Sequence, residues 1–307
     1  MAKTYSPSGF QAALKQAARK ASARHGLGTQ ELMSVFYFSR LAARVFTHDP
    51  DGWLIKGGQA LLIRYAGEAR LSRDLDLQTA SAARTVGEAV AALTAAAALE
   101  LDDHLRFVPG RGRPHADESK GAVQSFDVYL GLRKVSTVKV DIVVGRACTG
   151  KPEHRTLASI VGLEWPVDWP DATLYPVIDH VADKICAMYE IHPNGPSGRY
   201  RDLADLLLIS QRETLDGLSA QRALVGEAAR RSTKGTPVGL PDAFVLPDSG
   251  WNTGYPSAAA LVIGLRGCRD IPTATSAAEV FVNPLLSPAP LDATWDPVTT
   301  SWNPHAQ

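Results

Sequence analysis

The sequence predicts an α/β fold: a mixed sheet domain in the first half, then a mostly helical C-terminal domain. Two observations carry that prediction. Short apolar or β-branched runs alternate with helical patterns as far as about residue 150. From Pro176 onward, by contrast, only helical patterns recur. The chain's 307 residues allow one large domain or two ordinary ones, and 45% hydrophobic with 21% charged residues suits a packed core.

Taken in order, residues 9–25 and 29–47 read as helices, the second with Leu32, Val35, Phe36, Leu41, Val45 and Phe46 near helical spacing. Asp49-Pro50-Asp51-Gly52 is a turn. Residues 53–56 read as a short strand, Gly57-Gly58 as a tight turn, 59–65 as a helix and 71–78 as a returning strand. An Ala-rich helix is expected at 85–99, then strands at 105–108, 124–132 and 136–144. Helices are expected at 177–191, 202–210 and 220–231. The last 37 residues hold six prolines, three acidic groups and no Lys or Arg, which predicts a surface tail or partial disorder. The boundary falls between 150 and 175, where Gly150-Lys151-Pro152, Trp165-Pro166 and Trp169-Pro170 interrupt regular structure. The expected organisation is N-terminal helices over 1–50, a sheet core over 51–170, a helical domain over 171–270 and a Pro-rich tail over 271–307.

Composition narrows function. No apolar run approaches the ~18–20 residues that span a bilayer, and no secretory signal follows the Met-Ala-Lys-Thr-Tyr-Ser start, so a cytoplasmic protein without a membrane partner is expected. Cys148, Cys186 and Cys268 are too few and too scattered for a disulfide framework or a zinc knuckle. With 32 basic and 32 acidic residues, any nucleic-acid contact must be local. One candidate patch is the first thirty residues, with Lys3, Lys15, Arg19, Lys20 and Arg24 and no acid; a solvated helix face explains it equally well.

The chemistry concentrates in Lys56-Gly57-Gly58-Gln59-Ala60-Leu61 and Arg70-Leu71-Ser72-Arg73-Asp74-Leu75-Asp76-Leu77. Residues two apart on a strand share a face, so Asp74 and Asp76 present paired carboxylates while Leu75 and Leu77 turn to the core. Paired anions suit a hard divalent cation, and magnesium is commonly held by one or two carboxylates plus substrate phosphates. A strand entering Gly57-Gly58 and then a helix places free backbone N–H groups where a phosphate can approach. Asp141, alone among Val140, Ile142 and Val144 on a later strand, is a third carboxylate for the metal or for deprotonating an acceptor; a solvent-facing Asp is the plainer alternative. Ser72 shares the Asp74 face on the expected strand, so it can bond the phosphate turn or a nucleotide oxygen. A phosphoryl group there would add about −1.5 to −2 charges beside the carboxylates and act as a switch.

Gly-Gly, a helix, Arg-x-Ser-x-Asp-x-Asp and a later lone Asp together resemble the DNA polymerase beta nucleotidyltransferase superfamily, and more specifically the AbiEii/AbiGii-type (MenT-like) toxins. Ala182-Asp183-Lys184-Ile185-Cys186-Ala187 and Arg201-Asp202-Leu203-Ala204-Asp205 look like that family's Lys-x-x-Ala helix and Arg-Asp-x-x-Asp segment, and residues 237–241 with Trp251-x-x-x-Tyr255 resemble its C-terminal segment more loosely, so the likeness spans about 53–260. The resemblance implies a polymerase-beta-like nucleotidyltransferase sheet and Mg2+ at Asp74, Asp76 and Asp141. It also implies nucleotide contacts from Lys56, Gly57, Gly58, Ser72, Arg201, Asp202 and Asp205, with Lys184 as a catalytic cation facing the triphosphate. Asp202 and Asp205 can instead hold Lys184 or Arg201, or serve the helix N-terminus as a cap and a dipole partner. Where many relatives have Gly-Ser, this chain has Gly57-Gly58, and an insert at 192–198 separates Lys184 from Arg201. The implied activity is NMP transfer from an NTP to RNA, at tRNA 3′ ends, by a toxin paired with an antitoxin. The alternatives are a protein or small-molecule acceptor, or a nucleotide-binding regulator with a vestigial site.

Overall fold

The computed structural model describes residues 6–305 except 116, 118, 119, 166, 192–194, 196 and 234–236. Lys3, Pro166 and most of the 192–198 insert therefore lie outside the described residues. The chain forms two compact units. The first takes in residues up to Gly67, then Leu71–Ala147 and Pro152–Leu174; the second takes in Tyr175 onward with Glu68–Arg70 and Cys148–Lys151.

In the first unit, α1 (Pro7–His25) starts where the Ser6 hydroxyl accepts from the Gly9 N–H and stops at Gly26 in the left-handed region, φ 68°. It buries Phe10, Leu14, Ala18 and Ala21, which leaves Lys15, Arg19, Lys20 and Arg24 exposed. α2 (Thr29–His48) buries the expected apolar stripe and, in addition, Arg40 and Arg44. Both cations meet the buried Asp103: Arg40 Nε donates at 2.6 Å, and Arg44 grips both carboxylate oxygens at 2.7 and 2.9 Å. Arg40 also lies 4.7 Å over the Trp169 ring and Arg44 4.8 Å over Phe107. Burial pushes the Asp103 carboxyl up, but Arg44 and Arg40 outweigh it and hold the group below the usual carboxylate range.

The sheet comprises β1 (Trp53–Lys56), β2 (Leu75–Thr79), β3 (Leu105–Pro114), β4 (Gly121–Leu130), β5 (Arg133–Val143), β6 (Glu153–Thr156) and β7 (Asp171–Leu174), in the order β3-β4-β5-β2-β1-β7-β6. It is mixed: β2 runs antiparallel to β1 and parallel to β5, and β1 is parallel to β7. Between β1 and β2 lies α3 (Gly57–Arg64); α4 (Val86–Ala97) follows β2, opened by a Thr85–Glu88 capping box. β6 and β7 occupy the stretch that the prolines suggested was a boundary. β6 is an edge strand of Glu-His-Arg-Thr, mostly exposed, so it carries no apolar alternation to announce it.

β2 begins at Leu75, not at 71. The ladder explains this: β1 ends at Lys56 opposite Asp76, and pairing with β5 begins at Leu75–Val140, so residues 71–74 have no strand to join.

The second unit holds α5 (Val177–Met188), α6 (Tyr200–Ser210), α7 (Gly217–Thr233), α8 (Trp251–Ala259) and α9 (Ile271–Leu286), with a small sheet ordered β10-β9-β8. Its strands are β8 (Leu215–Asp216), β9 (Ala293–Asp296) and β10 (Ser301–Pro304). The Pro-rich segment is thus folded rather than a loose tail. Asp270 caps α9, Pro272 falls in its first turn where no N–H is needed, and Pro284 falls near its end. Trp295 is buried, with its indole N–H donating to Ser210 O at 2.7 Å and its ring 4.7 Å from Phe281. Among the described residues no helix is long and apolar enough to cross a membrane.

Candidate active site

Three strands bring the first set of predicted residues into one row. Lys56 on β1 pairs in register with Asp76 on β2, and Asp76 with Asp141 on β5. Residues directly opposite on adjacent strands have Cβ atoms about 4.5–5.5 Å apart, so a cation and two carboxylates stand side by side. Leu75, Leu77, Val140 and Ile142 take the alternate positions and are fully buried, which fixes which face the acids occupy. Asp74 is exposed immediately before β2, at the head of this row.

Gly57 fits against Asp76 so closely that no other residue can replace it unstrained. Its φ is +59°, and a Cβ there would stand 1.8 Å from Asp76 Oδ2. The same residue opens α3, where the first backbone N–H groups have no partner within the helix. Gly58 is buried behind it, and Gln59 anchors the turn by donating to Ser39 Oγ at 3.3 Å. Ser72 is buried, and its hydroxyl donates to the Asp74 carbonyl oxygen at 2.8 Å and approaches Asp74 Oδ1 at 3.3 Å. It precedes β2 rather than lying on it and braces the turn that carries Asp74.

One neighbour escaped the sequence reading. His115, just past β3, places Nε2 2.6 Å from Asp141 Oδ1. Gly121 makes room for it, since a Cβ there would meet the imidazole at 2.6 Å and the Ile142 carbonyl oxygen at 2.0 Å. A lone histidine in a loop carries no spacing signal, so nothing short of the fold could have found it.

Among the described residues no group of three His, Cys, Asp or Glu side chains is already gathered around a cation position. The donor set nevertheless fits a hard divalent ion: Asp76 and Asp141 are adjacent, Asp74 is close in sequence, and Gly57 leaves Asp76 the space that a Cβ would fill.

The second predicted set gathers in the second unit. Lys184 on α5 is 5% exposed and donates to Asp205 Oδ2 at 2.6 Å and Asp202 Oδ1 at 3.2 Å. Arg70 reaches Asp205 Oδ2 at 3.0 Å, and Arg199 reaches Asp202 Oδ2 at 2.7 Å. Burial raises Asp202, but Lys184, Arg199 and Arg70 outweigh it and hold the carboxyl low. Asp202 therefore serves Lys184 rather than capping α6, whose N-cap residue is Arg199. Two of the three ammonium N–H bonds of Lys184 are taken by these carboxylates. Arg201 stands half-buried in the first turn of α6.

The model of the nucleotidyl transferase AbiEii toxin family, type IV toxin–antitoxin system, matches residues 40–272. The chain belongs to this family. It is accordingly a nucleotidyltransferase, and membership implies an NTP substrate and an antitoxin partner. No curated protein matches the chain in sequence. Among solved structures, MenT4, a nucleotidyltransferase toxin from Mycobacterium tuberculosis H37Rv, is similar with a TM-score of 0.52 at 16% identity, over 88% of this chain and 97% of MenT4. JHP933 from Helicobacter pylori aligns with a TM-score of 0.41 at 16% identity, over 78% of this chain and 91% of that one. The MenT4 likeness shows a shared fold, in keeping with the mixed α/β architecture expected from the sequence. The AbiEii match covers both the carboxylate row and the Lys184 cluster.

Proposed function

We propose that this AbiEii-family toxin transfers a nucleoside monophosphate from an NTP to an RNA hydroxyl, at the 3′ end of tRNA, with Mg2+ and under control of an antitoxin in the cytoplasm. The observation that carries the reading is the Lys56–Asp76–Asp141 row with Gly57 seated under Asp76. In this reading Asp74, Asp76 and Asp141 hold the metal. When bound, magnesium neutralises phosphate charge and assists ionisation of the attacking hydroxyl. Asp141, braced by His115, orients the acceptor hydroxyl and receives its proton. The backbone N–H groups at the start of α3 and the Lys56 ammonium, with Ser72 steadying the Asp74 turn, position the triphosphate. Lys184 has its charge fixed in place by Asp202 and Asp205, and its third N–H is the one proposed to serve phosphate.

The test is to incubate the protein and Mg2+ with each α-labelled NTP and three acceptor pools: total tRNA, total protein and small-molecule hydroxyl compounds. Label entering tRNA is expected. Label entering protein or the small molecules alone would replace the RNA reading, and label entering none would favour a nucleotide-binding regulator.

A further inference from the structure

A cavity of about 500 Å³ opens between α1, α2 and the start of β5. Its polar lining includes Lys15, Gln11, Gln30, Arg133, Lys134 and Tyr37, and none of the described lining residues is acidic. Lys15, Arg133 and Lys134 are exposed, Lys134 sharing its charge with Asp127 at 2.8 Å. Tyr37 is fully buried, and its hydroxyl has no hydrogen-bond partner among the described residues. Burial pushes that phenol up to about 12, so near neutral pH it remains an O–H donor without an acceptor. Three cations, two carboxamides and an unmatched donor around one concave space call for a ligand rich in anionic oxygen. Arg133 lies eight residue steps along β5 from Asp141, at most roughly 26 Å at about 3.3 Å per residue. A mononucleotide bound at the carboxylates cannot reach that far, whereas a polynucleotide can.

We propose that this basin docks the phosphodiester backbone of the acceptor RNA, at the end of β5 remote from Asp141. The inference rests on the RNA reading given above and adds a second contact region to it. Phosphate contacts position a nucleic acid without reading its sequence, so the basin selects acceptors by length and reach. Counterion release then makes its contribution strongly salt-dependent.

The experiment compares the parent with a Lys15→Glu/Arg133→Glu double variant and with Tyr37→Phe, each checked for an unchanged melting temperature. Two acceptors are used: tRNA, and a trinucleotide with the same 3′ end that is too short to span the distance. For the double variant, KM for tRNA is expected to rise about tenfold or more, and the slope of log K against log salt to flatten by about 1.4–1.8, the value for two lost contacts. Transfer to the trinucleotide should be unchanged. Tyr37→Phe should weaken tRNA binding severalfold without changing the salt slope, since no charge is lost. Equal effects on both acceptors, or no effect on either, would overturn the assignment. If the parent labels neither acceptor, the RNA-transfer reading fails by itself, and tRNA binding measured by anisotropy still decides the basin: an unchanged salt slope overturns it. Inorganic phosphate and free NTP are titrated in parallel. Tight binding of either by the parent, lost in the double variant while the tRNA slope stays the same, would assign the basin to a small anion and overturn the backbone proposal.

Discussion

Replacing Gly57 by alanine tests the cradle beneath the carboxylate row with the smallest change possible. The added methyl would stand 1.8 Å from Asp76 Oδ2, whereas real Cβ contacts essentially never fall below 3.0 Å, so Asp76 or the turn must move by at least 1.2 Å. A misplacement of about 1 Å in a reacting group can lower the rate about 100-fold, equivalent to about 2.7 kcal/mol of transition-state stabilisation. The left-handed φ of +59° adds about 1–2 kcal/mol of backbone strain for any L-residue. Gly57→Ala should therefore fold, melt somewhat lower, and lose about two orders of magnitude in kcat for nucleotide transfer. Denaturant unfolding separates the two parts: in an Asp76→Ala background the clash is gone, and the glycine change should cost only the strain. Gly57→Ala activity within threefold of the parent, or the same unfolding cost in both backgrounds, would refute the contact between Gly57 and Asp76.

Asp103→Asn takes from the buried Arg40 and Arg44 the one carboxylate they share, so unfolding free energy should fall by about 3–5 kcal/mol, read by urea melts; a loss under 1 kcal/mol would contradict the buried cluster. Because the folded pKa of Asp103 lies below its ordinary 3.8, its stabilisation is complete above that pH and is lost as pH falls through the folded value. The Asn variant should accordingly lose stability less steeply than the parent below about pH 4. Lys184→Ala removes the buried cation that Asp202 and Asp205 share and leaves them only Arg199 and Arg70, so it should lower stability by about 1–3 kcal/mol and raise KM for NTP; a surface lysine would change neither. Ser72→Ala removes one neutral hydrogen bond bracing Asp74, about 1 kcal/mol, and should keep partial transfer activity; complete loss would place the hydroxyl in the chemistry itself.

Much of the fold was legible because periodicity reports burial directly. The α2 stripe, the Leu75/Leu77 alternation and the β-branched run of β5 each appear where the pattern placed them. Elements without such a stripe stayed hidden, as with the polar edge strand β6. Composition misled over 271–307, where Pro272 sits at a permitted place in the first turn of α9, Pro284 is tolerated near its end, the other four prolines follow the helix, and the decisive contacts come from Phe281, Trp295 and Trp302. Two arginines four apart within the apolar stripe of α2 were a readable sign of a buried ion cluster, but Asp103, fifty-nine residues beyond Arg44, was not. At the candidate site, spacing marked Asp74, Asp76 and Asp141, whereas their alignment with Lys56 depends on strand register and the His115 contact on loop geometry.

The most direct test of the central claim is the mass of the acceptor. Purified tRNA incubated with the protein, the preferred NTP and Mg2+ should gain one or more nucleoside monophosphate units at its 3′ end, with one pyrophosphate released per unit. Folded Asp76→Asn protein should leave both the tRNA mass and the pyrophosphate level unchanged. Undiminished nucleotide addition by Asp76→Asn would contradict the claim that the Asp76 carboxylate, set between Lys56 and Asp141, is the centre of the reaction.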